Sequence, residues 1–117
     1  ENEVQCKSLA FAKRVVLAYQ YLCDEKKEFV LSKQFLRSGT SIGANITEAQ
    51  QAQSKADFIA KLQIALKEAN EAGYWLELLF KTNYITEAEY KSLDSVCTSI
   101  RVMLISSINT AKENAHK

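Results

Sequence analysis

At 117 residues the chain fits one domain, long enough to bury a core without help from disulfides or metals. It contains no proline, its three glycines fall inside periodic segments, and Ala, Leu, Lys, Glu and Gln are abundant, which favours helix throughout and argues against a sheet protein. The formal net charge is +1, divided as +2 over residues 1–37, −2 over 38–80 and +1 over 81–117, so no segment is basic enough for tight nucleic-acid binding driven by counterion release alone. Cys6, Cys23 and Cys97 are odd in number and lack C-x-x-C spacing, which points to reduced thiols in a cytoplasmic protein and to neither a disulfide framework nor a zinc site. No apolar run approaches the roughly 18 residues of a membrane span, and no signal peptide shows. The chain begins at Glu1 without a methionine, which leaves room for a short leading segment.

The first predicted helix runs from about Val4 to Cys23, with Val4, Phe11, Val15, Ala18 and Leu22 on one face. Leu9, Val16, Leu17, Tyr19 and Tyr21 point elsewhere, so this helix is apolar over much of its circumference. Asp24 to Glu28 forms a charged connection, and Phe29 to Leu31 leads into the second helix, for which Ser32 is the expected N-cap. That helix, Lys33 to Gln53, turns Phe35, Gly39, Ile42, Ile46 and Ala49 inward, with Leu31 adding to the same face from the entry. Arg37, Ser41, Asn45 and Glu48 fall on an adjoining face. Within it, RSGTSIGANITEAQ from Arg37 to Gln50 is a poor helix former, because each interior glycine gives up about 1 kcal/mol relative to alanine and Ser, Thr and Asn compete for backbone hydrogen bonds. Such a choice asks for close packing in return, and Gly39-x-x-x-Gly43 has the spacing that lets a neighbouring helix approach.

Ser54 is the expected cap of the third helix, with Asp57 three residues on, and Phe58, Leu62, Ala65, Ala69, Gly73, Leu76 and Phe80 make its predicted core stripe. The helix spans about 28 residues, or roughly 40 Å. Thr86 with Glu89 forms a capping box for the fourth, which carries Leu93, Val96, Cys97, Ile100, Leu104, Ile108 and Ala111 inward. The tail Lys112 to Lys117 is expected to fray. Four helices with short connections and no dividing linker predict an all-α protein, an antiparallel up-down-up-down four-helix bundle of one domain.

Ile64, Glu68, Glu71, Trp75 and Leu78 share a second face of the third helix, away from the core stripe. With Val102 and Ile105 also off the stripe of the fourth helix, this face reads as a buried subunit interface anchored by Ile64, Trp75 and Leu78. The other reading is that these residues line the edge of a small core.

Candidate chemistry is sparse. Gly39 and Gly43 lack the strand, the Lys-Ser/Thr ending and the G-x-G-x-x-G spacing of a phosphate loop. Ser41, Asn45 and Glu48 lie at i, i+4 and i+7, and could meet Glu68 and Glu71 across a helix pair. Clustered carboxylates can hold metal or perform acid/base work, but a di-iron bundle needs Glu-x-x-His twice and the one histidine here is His116. Ser41 has no histidine to activate it. The expectation is therefore a structural polar network of Ser41, Asn45, Glu48, Glu68 and Glu71 with Arg37, without catalytic residues, metal or cofactor. Lys13, Arg14, Lys26, Lys27, Lys33 and Arg37 gather in the first third, interleaved with Glu25 and Glu28, as on a solvated helix surface. Contact with RNA through Lys13, Arg14, Lys33 and Arg37 stays open, since oligomerisation multiplies a modest patch.

FLRSGTSIGANITE from Phe35 to Glu48, followed by FIAKLQIALKEANEAGYWLELL from Phe58 to Leu79, resembles the four-helix-bundle family whose founding members are encoded in intervening sequences of bacterial 23S ribosomal RNA genes. The resemblance covers most of the chain. The marks of that family, an Arg/Ser-rich start, a Ser-Ile pair, an Asn-Ile-x-Glu step and an Ile-Ala-x-x-Glu-x-x-Glu run, fall on Arg37 and Ser38, on Ser41 and Ile42, on Asn45, Ile46 and Glu48, and on Ile64, Ala65, Glu68 and Glu71. It implies a left-handed antiparallel bundle, a homopentameric ring and no known enzymatic activity. A related group, the accessory variability determinant proteins of diversity-generating retroelements, forms similar barrels that bind RNA and a reverse transcriptase through basic surfaces, and the near-neutral charge here departs from that group. The expectation is a non-enzymatic cytoplasmic bacterial protein whose partner is itself, with RNA or a nucleic-acid enzyme as the alternative and no membrane.

Overall fold

A computed structural model describes residues 2–115 of the chain, which form four helices: α1 Glu3–Asp24, α2 Leu31–Gln50, α3 Lys55–Lys81 and α4 Glu87–Ala115. No strand occurs among the described residues. Three helices start where local side chains can cap them. The Asn2 side chain accepts from the Gln5 amide at 2.8 Å, Ser54 Oγ from the Asp57 amide at 3.1 Å, and Thr86 and Glu89 bond reciprocally at 2.8 and 3.1 Å. Each satisfies amide groups that have no carbonyl partner in the first helical turn.

The start of α2 differs from the sequence expectation. Ser32 is not its cap but lies inside the first turn, where its hydroxyl donates to the Glu28 carbonyl at 2.7 Å. Glu28 performs the capping: its carboxylate accepts from the amides of Val30, Leu31 and Ser32 at 3.1, 3.0 and 2.7 Å. Lys27 makes this possible by adopting φ 54°, a left-handed turn that reverses the chain after α1 and swings Glu28 back over the helix start. With that cap, α2 begins at Leu31 and ends at Gln50, short of Gln53. At the other end of the chain α4 stays helical to Ala115, so residues 112–115 of the tail expected to fray are helical; His116 and Lys117 lie outside the described residues.

The helices pack as a bundle 52 Å long and 21 Å across. α2 and α4 each contact both α1 and α3, while α1 and α3 stand diagonally opposite without packing on one another. Phe11, Val15, Leu22, Ile42, Ile46, Leu62, Leu76, Leu79, Ile100 and Leu104 fill the centre and are fully buried. The rows on α1, α2 and α4 follow the predicted stripes, with Ala18 and Val96 at the core's edge. On α3 the inward row is Leu62, Ala65, Ala69, Ala72, Leu76 and Leu79. Gly73, expected inward, lies off that row on the side facing α4, and Phe58 and Phe80 are half-buried against the core's edge. There Phe80 stacks on Tyr90 with ring centroids 4.8 Å apart, and a Cβ on Gly73 would come within 2.8 Å of Arg101 Nη1.

The awkward composition of α2 now has a physical reason. A Cβ on Gly39 would lie 2.8 Å from both γ-carbons of Val15, and one on Gly43 would lie 3.2 Å from Ser8 Oγ, so the two glycines set the close approach of α1. The hydroxyls between and around them are satisfied within their own helix: Ser38 on Gln34 O at 3.0 Å, Thr40 on Leu36 O at 2.8 Å, Thr47 on Gly43 O at 2.8 Å.

Candidate functional site

The residues singled out from sequence converge on the seam between α2 and α3. Arg37 Nη2 donates to Glu71 Oε1 at 3.1 Å and Nη1 lies 3.7 Å from Glu68 Oε2, while Lys61 Nζ pairs with Glu48 Oε1 at 3.5 Å. One guanidinium thus spans two carboxylates a helical turn apart, and a second pair of opposite polarity sits further along the seam. Together they tie α2 to α3 at two heights and fix their register. Exposed pairs of this kind contribute under about 1 kcal/mol each, so geometry rather than stability is their main effect.

Ser41 and Asn45 occupy the same face but do not bond those carboxylates. Ser41 Oγ donates to Arg37 O at 2.6 Å and Asn45 Nδ2 to Ser41 O at 2.9 Å, both inside α2. The cation that joins the helices is Arg37 alone at this height. Glu68, whose side chain is 13 % exposed, keeps its Oε1 buried without a hydrogen-bond donor. Among the described residues no group of three or more His, Cys, Asp or Glu is placed to hold a metal ion.

The four candidate RNA contacts differ in what they bond. Arg14 reaches toward α4, where its Nη2 donates to Ser92 Oγ at 2.8 Å, and Arg37 is engaged on α3; Lys13 and Lys33 are exposed on α1 and α2. Cys6 is exposed, Cys23 half-buried and Cys97 buried. Burial pushes the Cys97 thiol up to about 11, against a lowering by Arg101, and its Sγ donates to Ala69 O at 3.3 Å, so it is a core residue and a poor nucleophile.

The predicted interface residues divide by depth. Ile64 is 41 % exposed, whereas Trp75 and Leu78 are half-buried and Trp75 packs against the core. Tyr74, which the sequence reading passed over, is 59 % exposed and meets Trp75 edge-on at 5.0 Å. Its signal was available: it follows Ile64 by ten residues and falls on the outward side of α3. Val102 and Ile105 are exposed on α4.

An all-helical bundle with polar side chains engaged in caps, on helix carbonyls and in an ion-paired seam defines the class: a four-helix-bundle protein. No helix among them is long and apolar enough to cross a membrane. The chain belongs to the 23S rRNA-intervening sequence protein family, whose model matches residues 1–106. It is similar, at 63 % identity and a TM-score of 0.90, to the crystal structure of a protein of unknown function from the S23 ribosomal protein family of Bacteroides thetaiotaomicron, over 91 % of this chain and 98 % of that one. No curated protein matches.

Proposed function

We propose that this is a non-enzymatic cytoplasmic assembly protein, an antiparallel up-down-up-down bundle that forms a homopentameric ring through the outward face of α3. The observation that carries the reading is the exposure of Ile64 and Tyr74 beside half-buried Trp75 and Leu78, a row of large apolar side chains outside the core. Contacts running in opposite chain order support the topology: Arg37 with Glu71 and Glu48 with Lys61 across α2 and α3, Val15 by Gly39 and Ser8 by Gly43 across α1 and α2. An odd number of cysteines without C-x-x-C spacing fits a reducing compartment. The pentamer number rests on family resemblance.

The test separates the residues of that row. Ile64→Asp, at a surface position, is expected to lower the mass seen by light scattering to that of a monomer while leaving the helical circular dichroism and melting temperature unchanged. Trp75→Asp is expected to dissociate the assembly and also to lower the melting temperature, because Trp75 supports the core. An Ile64→Asp variant of unchanged mass would remove α3 from the interface.

The second reading, binding of RNA, is supported by Lys13 and Lys33, which are exposed and, among the described residues, not ion-paired. Affinity for structured rRNA fragments should then fall as salt rises and drop further in Lys13→Glu and Lys33→Glu variants. Affinity that ignores both would end it.

A further inference from the structure

The corner between α1 and α2 carries apolar surface that the fold does not use. Phe29 and Val30, 56 % and 71 % exposed, follow one another between the Glu28 cap and the first turn of α2, while the next residue, Leu31, packs on the core. Neither side chain has a local duty. Val30 occupies the N-cap position, where Ser, Thr, Asp or Asn is preferred, and makes no side-chain cap bond. Phe29 stands where an apolar residue often packs against the fourth residue of the helix, but that residue is Gln34. Single apolar side chains on a surface are ordinary, whereas two adjacent ones at a helix junction form a patch.

The corner is also stiff. Lys27 at φ 54° turns the chain, the Glu28 amide donates to Leu22 O at 3.0 Å, and the Glu28 carboxylate and Ser32 hydroxyl close the turn from within. Phe29 and Val30 are thus held outward in advance, and a contact there needs little further ordering of the chain.

Charge indicates what the patch meets. Lys26, Lys27 and Lys33 flank it, all exposed and, among the described residues, none ion-paired. On α3 and α4, by contrast, the exposed Lys81 and Lys91 are matched by Glu77 and Glu87. Of the carboxylates near the corner Asp24 and Glu25 are exposed, whereas Glu28 is buried on its three amides, so cations prevail at the surface. Tyr21, in the last turn of α1 and 40 % exposed, has Lys26 Nζ 6.0 Å from its ring centre. Outward apolar side chains, a neighbouring aromatic ring and unpaired lysines make up the composition of a contact with an anionic bilayer surface. Stacking on nucleic-acid bases would use Phe29 and Tyr21 but not the aliphatic Val30, the most exposed of the three.

We propose that this corner docks on an anionic lipid surface. Phe29 and Val30 enter the boundary between headgroups and acyl chains, and Lys26, Lys27 and Lys33 meet the lipid phosphates. The contact is peripheral, since no helix among the described residues is long and apolar enough to cross a membrane. It departs from the sequence expectation of no membrane partner, which rested on the lack of a long apolar run. The corner is no part of the outward row of α3, so lipid binding and self-assembly are separable.

Vesicle flotation of the full chain tests it. The wild type is expected to float with phosphatidylcholine vesicles containing phosphatidylglycerol, and several-fold less with phosphatidylcholine alone. Phe29→Ser and Val30→Ser, at exposed positions, are each expected to lower the bound fraction several-fold at unchanged melting temperature. Lys26→Gln combined with Lys33→Gln should do so on the anionic vesicles only. No flotation of the wild type, or flotation that both serine variants leave intact, overturns the proposal. Equal binding to both kinds of vesicle removes the lysines from the contact and overturns its anionic character. Binding of single-stranded RNA that falls in Phe29→Ser but not in Val30→Ser, without flotation, assigns the corner to nucleic acid and overturns the lipid contact.

Discussion

Gly39 shows how one atom decides a helix contact. A Cβ there meets both γ-carbons of Val15 at 2.8 Å, and Val15 is fully buried and β-branched, so no rotamer change frees the space. Alanine would gain about 1 kcal/mol in helix propensity, but overpacking a tight core costs about 1–3 kcal/mol. Steric cost therefore wins, and Gly39→Ala is expected to lose on the order of 1 kcal/mol in chemical denaturation. Gly43→Ala meets only a hydroxyl at 3.2 Å, which can turn aside, and should lose less. Equal or greater stability of Gly39→Ala would show that α1 is not held at this distance. The glycine spacing was visible in the sequence, whereas its partner was not: nothing local says that Val15, twenty-four residues earlier, lies opposite. The same limit separates the wheel from the bonds at Ser41 and Asn45. Their face was legible, but a short side chain within reach of its own helix carbonyl bonds there in preference to a carboxylate on the next helix.

At the scale of the element, the corner between α1 and α2 carries the clearest titration. Burial raises the Glu28 pKa, but the amides of Leu31, Ser32 and Val30, with the Ser32 hydroxyl, outweigh it and hold the carboxyl below its usual 4.5. The ionised form is thus favoured in the folded state. Its contribution is present above the unfolded pKa and is lost as pH falls through the lower folded value. Glu28→Gln is expected to cost about 1–2 kcal/mol at neutral pH, the size of a lost helix cap, and the gap between variant and wild type should close as pH drops well below 4.5. A gap of unchanged size at about pH 3 would contradict the cap. The caps at Ser54 and Thr86 are legible in the sequence because they follow a local pattern, whereas Glu28 is not, because its position depends on the left-handed turn at Lys27. On α3 the periodicity put Gly73 inward and left out Ala72 and Leu79, since the wheel marks an apolar arc but the two flanking helices decide which edge of that arc is covered.

For the whole molecule, four helices in a 52 Å bundle bury one continuous core and leave large apolar side chains on two opposite flanks, Leu9 and Leu17 on α1 and Ile64 and Tyr74 on α3. The fold class and the four helices were readable from periodicity, with start signals read correctly for α3 and α4, because each helix needs an apolar stripe of its own. The use of the outward flanks was readable only as surplus apolar surface, because an interface is a property of two chains and the periodicity belongs to one. Self-assembly is the central claim, and the mass of the wild-type protein at tens of micromolar, measured by sedimentation equilibrium, tests it most directly. The account expects a discrete species of five times the 13.2 kDa monomer, and a single 13.2 kDa species across that concentration range would contradict it.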